Sequence, residues 1–301
     1  MARSLVIGSR GSKLALWQAE QARERLLALH PQIEIKIEII KTTGDVKSEP
    51  LSVIGGKGVF TKELEDALLD ERIDIAVHSL KDLPTVLPEG LSISAICERE
   101  DPRDALVLRS GLSGSLLELP ERAVVGTSSQ RRLAQLKALR CDVIVKDLRG
   151  NVDTRIRKLD EGQYDAVILA SAGLLRLGLE NRISARIHPS EMLPAVGQGA
   201  IAIETRSDDS FAVETTGGLD HRETRLACLA ERAFLRGLGG GCQLPIAAHA
   251  TIDGRVLTLD GLVARPDGSE IWRDQLSGPS DDAEQLGSAL SAQLIKNGAL
   301  L

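Results

Sequence analysis

The chain has 301 residues, of which 43% are apolar and 27% charged, enough for two or three domains and too apolar for a disordered chain. Its 37 cations and 43 anions leave a net charge of −6, which argues against a general DNA or anionic-membrane binder. Aromatic residues (two Trp, one Tyr, three Phe) make up 2%, too few for the stacking platforms of single-strand nucleic-acid binding.

The opening M-A-R-S-L-V-I-G-S-R has no long apolar run with a cleavage site, so no signal peptide is expected. No stretch approaches the roughly 18 apolar residues of a membrane span. Cys97, Cys141, Cys228 and Cys242 form no C-x-x-C pair, and the five histidines show no metal-ligand spacing. No metal is expected, and a reducing cytoplasm is the natural compartment.

In chain order, residues 4–9 form a short apolar run ending in G-S-R-G-S. An amphipathic helix follows and is terminated by Pro31. Ile33, Ile35, Ile37 and Ile39 alternate with charges, as in a strand buried on one face. T-T-G-D and G-G-K-G-V-F then lead to a helix through Leu69, and I-D-I-A-V-H is the next strand. After the charged C-E-R-E-D-P-R-D segment, A-V-V-G, D-V-I-V and D-A-V-I-L-A read as strands. Helices opening at T-S-S-Q-R-R and N-V-D-T-R lie between them, predicting mainly parallel sheets covered by helices on both faces. L-P-A-V-G-Q-G-A-I-A-I-E reads as a loop and a strand that returns to the first domain. The last 80 residues change style. A helix places Leu226, Leu229, Ala230, Ala233 and Phe234 on one face. Three strands follow, joined at I-D-G and P-D-G, and a helix over 281–296 closes a small α+β domain.

Charge is unevenly spread. Between Arg131 and Lys158 nine cations face three anions, so this window carries +6 and the rest of the chain −12. A basic island in an acidic protein points to a local anionic ligand. Arg131 and Arg132 open a predicted helix, where free N–H groups favour anions. Arg149, Gly150, Arg155 and Arg176 follow the next strands, and Arg10 and Ser12 occupy the equivalent turn of the first domain. Ligands of open α/β sheets bind at such strand ends, and arginine grips carboxylates through two parallel hydrogen bonds. Arg140, Arg157 and Lys158 read instead as a solvated helix face. Lys81 and Asp82 follow a buried strand, and Pro84 stops any regular helix there. A carboxylate among cations could stabilise a cationic intermediate or relay a proton, or simply cap a turn. His78 reads as a satisfied core histidine. G-G-K-G-V-F lacks phosphate-loop spacing and reads as a glycine-rich flap, with Lys57 a gate contact and Phe60 the ring nearest the ligand. Cys97, Cys141 and Cys228 abut apolar runs and are expected to be buried and inert. Cys242, in G-L-G-G-G-C-Q-L-P, is either a reactive thiol or a chance loop cysteine.

Taken together, V-H-S-L-K-D-L-P, G-T-S-S-Q-R-R, L-R-G-N-V-D-T-R, L-P-A-V-G-Q-G-A and G-G-G-C-Q-L-P, in this order, closely resemble the porphobilinogen deaminase (hydroxymethylbilane synthase) family from Arg10 to about Asn297. The resemblance implies two periplasmic-binding-protein-like α/β domains around a cleft, residues 1–98 with 196–216 and residues 103–192. A small α+β domain with a three-stranded antiparallel sheet, residues 220–301, would carry the cofactor. It implies a dipyrromethane held on Cys242 as a thioether. Four porphobilinogen molecules would be joined head to tail with release of ammonia, and hydroxymethylbilane passed to the next tetrapyrrole-pathway enzyme. By motif, Ser79, Lys81, Thr127, Ser129, Arg131, Arg132, Arg149, Gly150 and Arg155 would hold cofactor and chain. Arg10, Ser12, Arg176, Lys57 and Phe60, again with Arg149 and Arg155, would hold substrate, and Asp82 would be catalytic. Gln198 reads as a hinge residue. A cytoplasmic monomer without nucleic-acid or membrane partners is expected. The competing reading is a non-catalytic small-polyanion binder with the same cleft, which the absence of a signal peptide disfavours.

Overall fold

The computed structural model describes residues 4–43, 60–240 and 244–299. Lys57 and Cys242 lie outside the described residues. The chain divides into two units, Met1–Glu100 with Ala200–Leu226, and Asp101–Gly199 with Ala227–Leu301. The first begins with β1 (Ser4–Ser9), α1 (Lys13–Leu29), β2 (Glu34–Ile39), α2 (Lys62–Leu69), β3 (Ile75–Ser79) and β4 (Leu91–Ile96). The second then runs β5 (Asp104–Leu108), β6 (Val124–Gly126), α3 (Gln130–Leu139), β7 (Ile144–Lys146), α4 (Val152–Asp160), β8 (Ala166–Ala170), α5 (Ser171–Arg176) and β9 (Ala185–Arg186). β10 (Ile201–Arg206) and α6 (Ser210–Gly217) return to the first unit, and α7 (Arg222–Gly237) follows. β11 (Ile246–Asp253), β12 (Val256–Ala264), β13 (Ile271–Pro279) and α8 (Ala283–Lys296) finish the chain.

The first sheet has the order β2-β1-β3-β10-β4 and the second β7-β6-β8-β5-β9. The expectation of mainly parallel sheets needs one correction, because both are mixed. β10 runs antiparallel to β3 and β4, and β5 antiparallel to β8 and β9. In each sheet the reversed strand is the first one laid down after the chain passes from one unit to the other, so it enters from the opposite end. Otherwise the two sheets repeat one topology, with β1 and β6 each paired in parallel to the two strands that follow.

Both sheets are covered on two faces, as their apolar strands require. Leu5, Ile7, Ile75 and Val77 pack with Ala19, Ala22 and Leu26 of α1. On the other face Ala76 and Ile73 pack with Leu64, Ala67 and Leu68 of α2. In the second unit Leu106, Val125 and Ile168 meet Leu136 of α3, while Ala105, Val107 and Leu169 meet Ile156 and Leu159 of α4. The predicted C-terminal meander is present as β11-β12-β13. Its Gly268 turn has φ +73° and lies so close to α3 that a Cβ would meet the Ala134 carbonyl at 2.4 Å. Ala247, Leu262 and Ala264 share a core cluster with Ala134 and Leu193, so the meander braces the helix that carries Arg131 and Arg132.

Candidate active site

In the first unit, β1 and β3 are parallel neighbours and deliver Arg10–Ser12 and Ser79–Asp82 to the same end of the sheet. Ser12 caps α1, its Oγ accepting from the Ala15 N–H at 3.3 Å. The Arg10 guanidinium sits 4.2 Å from the centre of the Phe60 ring, so Phe60 steadies that arginine through a cation–π contact. β3 passes into one tight 3-10 turn, Leu80–Asp82, which ends before Pro84. Leu80 is buried and its N–H donates to the Ala200 carbonyl, which pins the turn to the sheet. Ser79 Oγ pairs with the side chain of Gln18 at 2.9 Å. Lys81 and Asp82, both half-buried, project from this anchored turn. Among the described residues the Asp82 carboxylate takes no hydrogen bond or ion pair, which leaves it to accept from a ligand. His78 points into the core, its Nε2 3.0 Å from Glu204 Oε2.

In the second unit the ends of β6 and β7 lie side by side. Ser129 caps α3, accepting from the Arg132 N–H, and Thr127 Oγ1 accepts from the Ser129 N–H at 3.2 Å. Each hydroxyl hydrogen therefore remains to donate. The loop after β7, Asp147–Gly150, is held from four directions. Ser128 Oγ both donates to and accepts from the Leu148 backbone, and Tyr164 donates to the Asp147 carbonyl. Lys158 Nζ donates to the Arg149 carbonyl and Arg155 Nε to that of Gly150. Gly150, at φ +108°, takes a conformation that side chains avoid, and a Cβ there would strike Thr154. The Arg149 side chain stands 3.8 Å from Asp147 on this fixed loop. Arg176 closes α5, and its Nη2 donates to the Gly199 carbonyl at 2.6 Å.

Arg131 and Arg132 lie within the first turn of α3, as expected, and are buried at 5% and 6% exposure. Between them is Asp104, fully buried at the start of β5. Asp104 Oδ1 accepts from Arg132 Nε and Nη2, at 3.1 and 2.7 Å, and from Gln198 Nε2 at 2.9 Å. Arg131 Nη1 is 2.8 Å from Oδ2. Neither Asp104 nor this role of Gln198 was visible in the sequence. Lys158, expected on a solvated face, supports the Arg149 loop instead. Arg157 makes the expected local ion pair, with Glu161, whereas Arg140 pairs with Asp142 and also donates to the Leu117 and Leu119 carbonyls, so it is not on a solvated face. Cys97 and Cys228 are buried, but Cys141 is exposed. It falls in the turn between α3 and β7, where Val143 is the residue that turns inward.

Burial alone would raise the Asp104 carboxyl, but Arg131 and Arg132 beside it overcome that and hold it well below the ordinary carboxylate range. A lowered native value stabilises the fold fully above the unfolded carboxylate value of about 3.9, and the contribution is lost as pH falls toward the native value. The urea midpoint should therefore be flat down to about pH 5 and fall below about pH 4. In Asp104→Asn that acid slope should be shallower, as a pH series of urea titrations would show.

The donors present suit a ligand bearing several carboxylates and pyrrole N–H groups. Arginine guanidiniums and the hydroxyls of Thr127 and Ser129 can donate to carboxylates, and the Asp82 carboxylate, without a partner among the described residues, can accept from N–H groups. Among the described residues no helix is long and apolar enough to cross a membrane. Residues 5–214 match the family model described as porphobilinogen deaminase, dipyromethane cofactor binding domain, and residues 225–296 match the model of the porphobilinogen deaminase C-terminal domain. A porphobilinogen deaminase of Chromobacterium violaceum is 53% identical over 296 residues, 98% of this chain and 95% of that protein. Among solved structures, the second substrate binding domain of a putative amino acid ABC transporter from Streptococcus pneumoniae aligns at 12% identity and TM-score 0.45, covering 79% of this chain and 94% of that one. A Salmonella typhimurium periplasmic binding protein aligns at 12% and 0.41, covering 72% and 92%. Neither TM-score reaches 0.5, so the fold description rests on the sheets themselves. The motifs, the strand-end site and the match over nearly the whole length agree, and the chain belongs to the porphobilinogen deaminase family.

Proposed function

We propose that Asp82 is the catalytic residue of this deaminase, with the cationic ends of the second sheet as its carboxylate-binding elements. The reaction joins four porphobilinogen molecules head to tail, releases four ammonia, and adds one water to free hydroxymethylbilane. When bound, the dipyrromethane supplies a free pyrrole α-carbon as the starting point for chain growth. Cys242 is the residue that would hold it. Ser79, Lys81, Thr127, Ser129, Arg131, Arg149, Gly150 and Arg155 would bind the acetates and propionates of cofactor and chain, with Arg132 behind Arg131 in the same basic pair. Arg10, Ser12, Arg176, Lys57 and Phe60 would orient incoming porphobilinogen, with Phe60 acting through Arg10.

The single observation that carries this reading is the half-buried Asp82 carboxylate, fixed on an anchored turn and partnerless among the described residues. Loss of ammonia breaks the aminomethyl C–N bond of porphobilinogen and leaves an azafulvenium cation. Asp82 accepts the pyrrole N–H hydrogen bond and stabilises that charge as it develops. The departing nitrogen leaves as ammonia once protonated, and the newly joined ring must lose its α-proton. Asp82 moves protons in both steps. A non-catalytic polyanion binder has no use for a carboxylate at this point. We further propose that residues 1–98 with 196–216, 103–192 and 220–301 act as three domains of a cytoplasmic monomer that hands its product to the next pathway enzyme.

Intact mass measured after incubation with porphobilinogen tests the reading. The purified protein should exceed its sequence mass by one dipyrromethane, and incubation should add a ladder of pyrrole units. A protein of bare sequence mass that gains no units would overturn it.

A further inference from the structure

The two adjacent arginines of α3 are not equivalent. All three guanidinium nitrogens of Arg132 are engaged internally: Nε and Nη2 with Asp104, and Nη1 with the Ile168 carbonyl at 2.9 Å. Arg131 engages only Nη1, with Asp104 at 2.8 Å and the Leu193 carbonyl at 2.7 Å. Its Nε and Nη2 have no partner among the described residues. One carboxylate between two guanidiniums leaves this triad at net +1. That single surplus charge is offered along the open edge of Arg131.

We propose that Asp104 is a positioning residue of the site, with Arg132 its structural counter-ion and Arg131 the ligand-facing member of the pair. The inference rests on the reading of Arg131 as a carboxylate-binding residue. Asp104 is well suited to the task because it is itself fixed from several sides. It opens β5, which lies in the sheet between β8 and β9. Gln198 Nε2 donates both to Asp104 and to the Pro102 carbonyl at 2.7 Å. Gln198 lies between Gly197 and Gly199, whose φ values of +69° and +92° set the loop path that brings its amide inward. The Gly197 N–H donates to Glu231 Oε2, and the Ala250 N–H of the C-terminal meander to Glu231 Oε1. Gln135 fastens the same loop by bonding the Leu193 backbone in both directions. The orientation of Arg131 is thus tied, through Asp104 and the 193–199 loop, to α7 and β11, the helix and strand on either side of Cys242 in the chain. Gln198, expected as a hinge residue, also braces this unit.

The test compares holoenzymes carrying Arg131→Lys, Asp104→Asn, Arg132→Lys and the double change Asp104→Asn/Arg132→Lys. Each is measured for dipyrromethane content by intact mass, and for kcat and KM with porphobilinogen per bound dipyrromethane. Arg131→Lys should lower kcat per loaded molecule by about tenfold or more, since the open fork edge is lost. Asp104→Asn should do the same although it cannot reach a ligand, and the double change should be no worse than the poorer single one within about twofold. A role in stability alone would lower the melting temperature and leave kcat per loaded molecule unchanged. That result for a folded Asp104→Asn, or full additivity with Arg132→Lys, overturns the proposal while Arg131 keeps its role. Wild-type behaviour of Arg131→Lys overturns the carboxylate-binding reading itself. If Asp104→Asn does not fold, Gln198→Met removes one neutral donor to Asp104. It should lower kcat per loaded molecule by about threefold or more, and wild-type kcat would overturn the proposal.

Discussion

Asp82→Asn is expected to fold normally and to carry its full complement of dipyrromethane, yet to lose about 10²–10³-fold in kcat. Asparagine keeps the size of the side chain and one acceptor oxygen, and the turn that presents it does not depend on the carboxylate. That turn is set by the buried Leu80, its N–H bond to Ala200, and Pro84. The charge alone is removed. A neutral amide stabilises an azafulvenium cation far less and cannot accept the α-proton. Because the cations proposed to hold cofactor and substrate are left unchanged, KM for porphobilinogen should change less than kcat. Intact mass, colour with p-dimethylaminobenzaldehyde and single-turnover kinetics together separate these effects. Turnover within a few-fold of the wild type would remove Asp82 from the chemistry.

The sequence carries signals of different strength for different parts of this molecule. Strands such as β1, β2 and β3 announce themselves by alternation or by short apolar runs before glycine or serine. β5 was missed because it is buried on both faces and follows a charged segment, so D-A-L-V-L shows no alternation. With it went Asp104, which in sequence is one more acid in C-E-R-E-D-P-R-D and in the fold neutralises a basic pair distant along the chain. The mixed sheets were hidden for a related reason. Strand direction depends on where the chain re-enters a sheet, and no local pattern records that. Arg131 and Arg132 were legible as cations at a helix start. Their unequal roles come from Asp104, Ile168 and Leu193, which reach α3 only through tertiary packing. Lys158 misled in the same way, since its place in a charged run on α4 concealed the Arg149 carbonyl within its reach. Cys141 was judged by its apolar neighbours, but the turn after α3 faces it outward.

Cys242→Ser should give a protein of bare sequence mass, colourless with p-dimethylaminobenzaldehyde and without measurable turnover. A thioether forms by attack of a thiolate, and a serine hydroxyl is almost never deprotonated near neutral pH. The controls decide the assignment. Cys97 and Cys228 are 5% and 0% exposed, so Cys97→Ser and Cys228→Ser should keep the adduct because neither thiol meets a solvent-borne electrophile. Cys141 is the sharper control. It is exposed, so access alone would make it a rival site, and an adduct lost in Cys141→Ser would move the attachment there. The glycines at 239–241 favour Cys242 instead, since backbone without side chains lets a bulky group approach the neighbouring sulfur. If the adduct survives Cys242→Ser and disappears in none of the other three, attachment through a cysteine is itself wrong. If it disappears only in Cys242→Ser, the thiol next to the glycine run is the anchor, and loading depends on a reactive sulfur rather than on an accessible one.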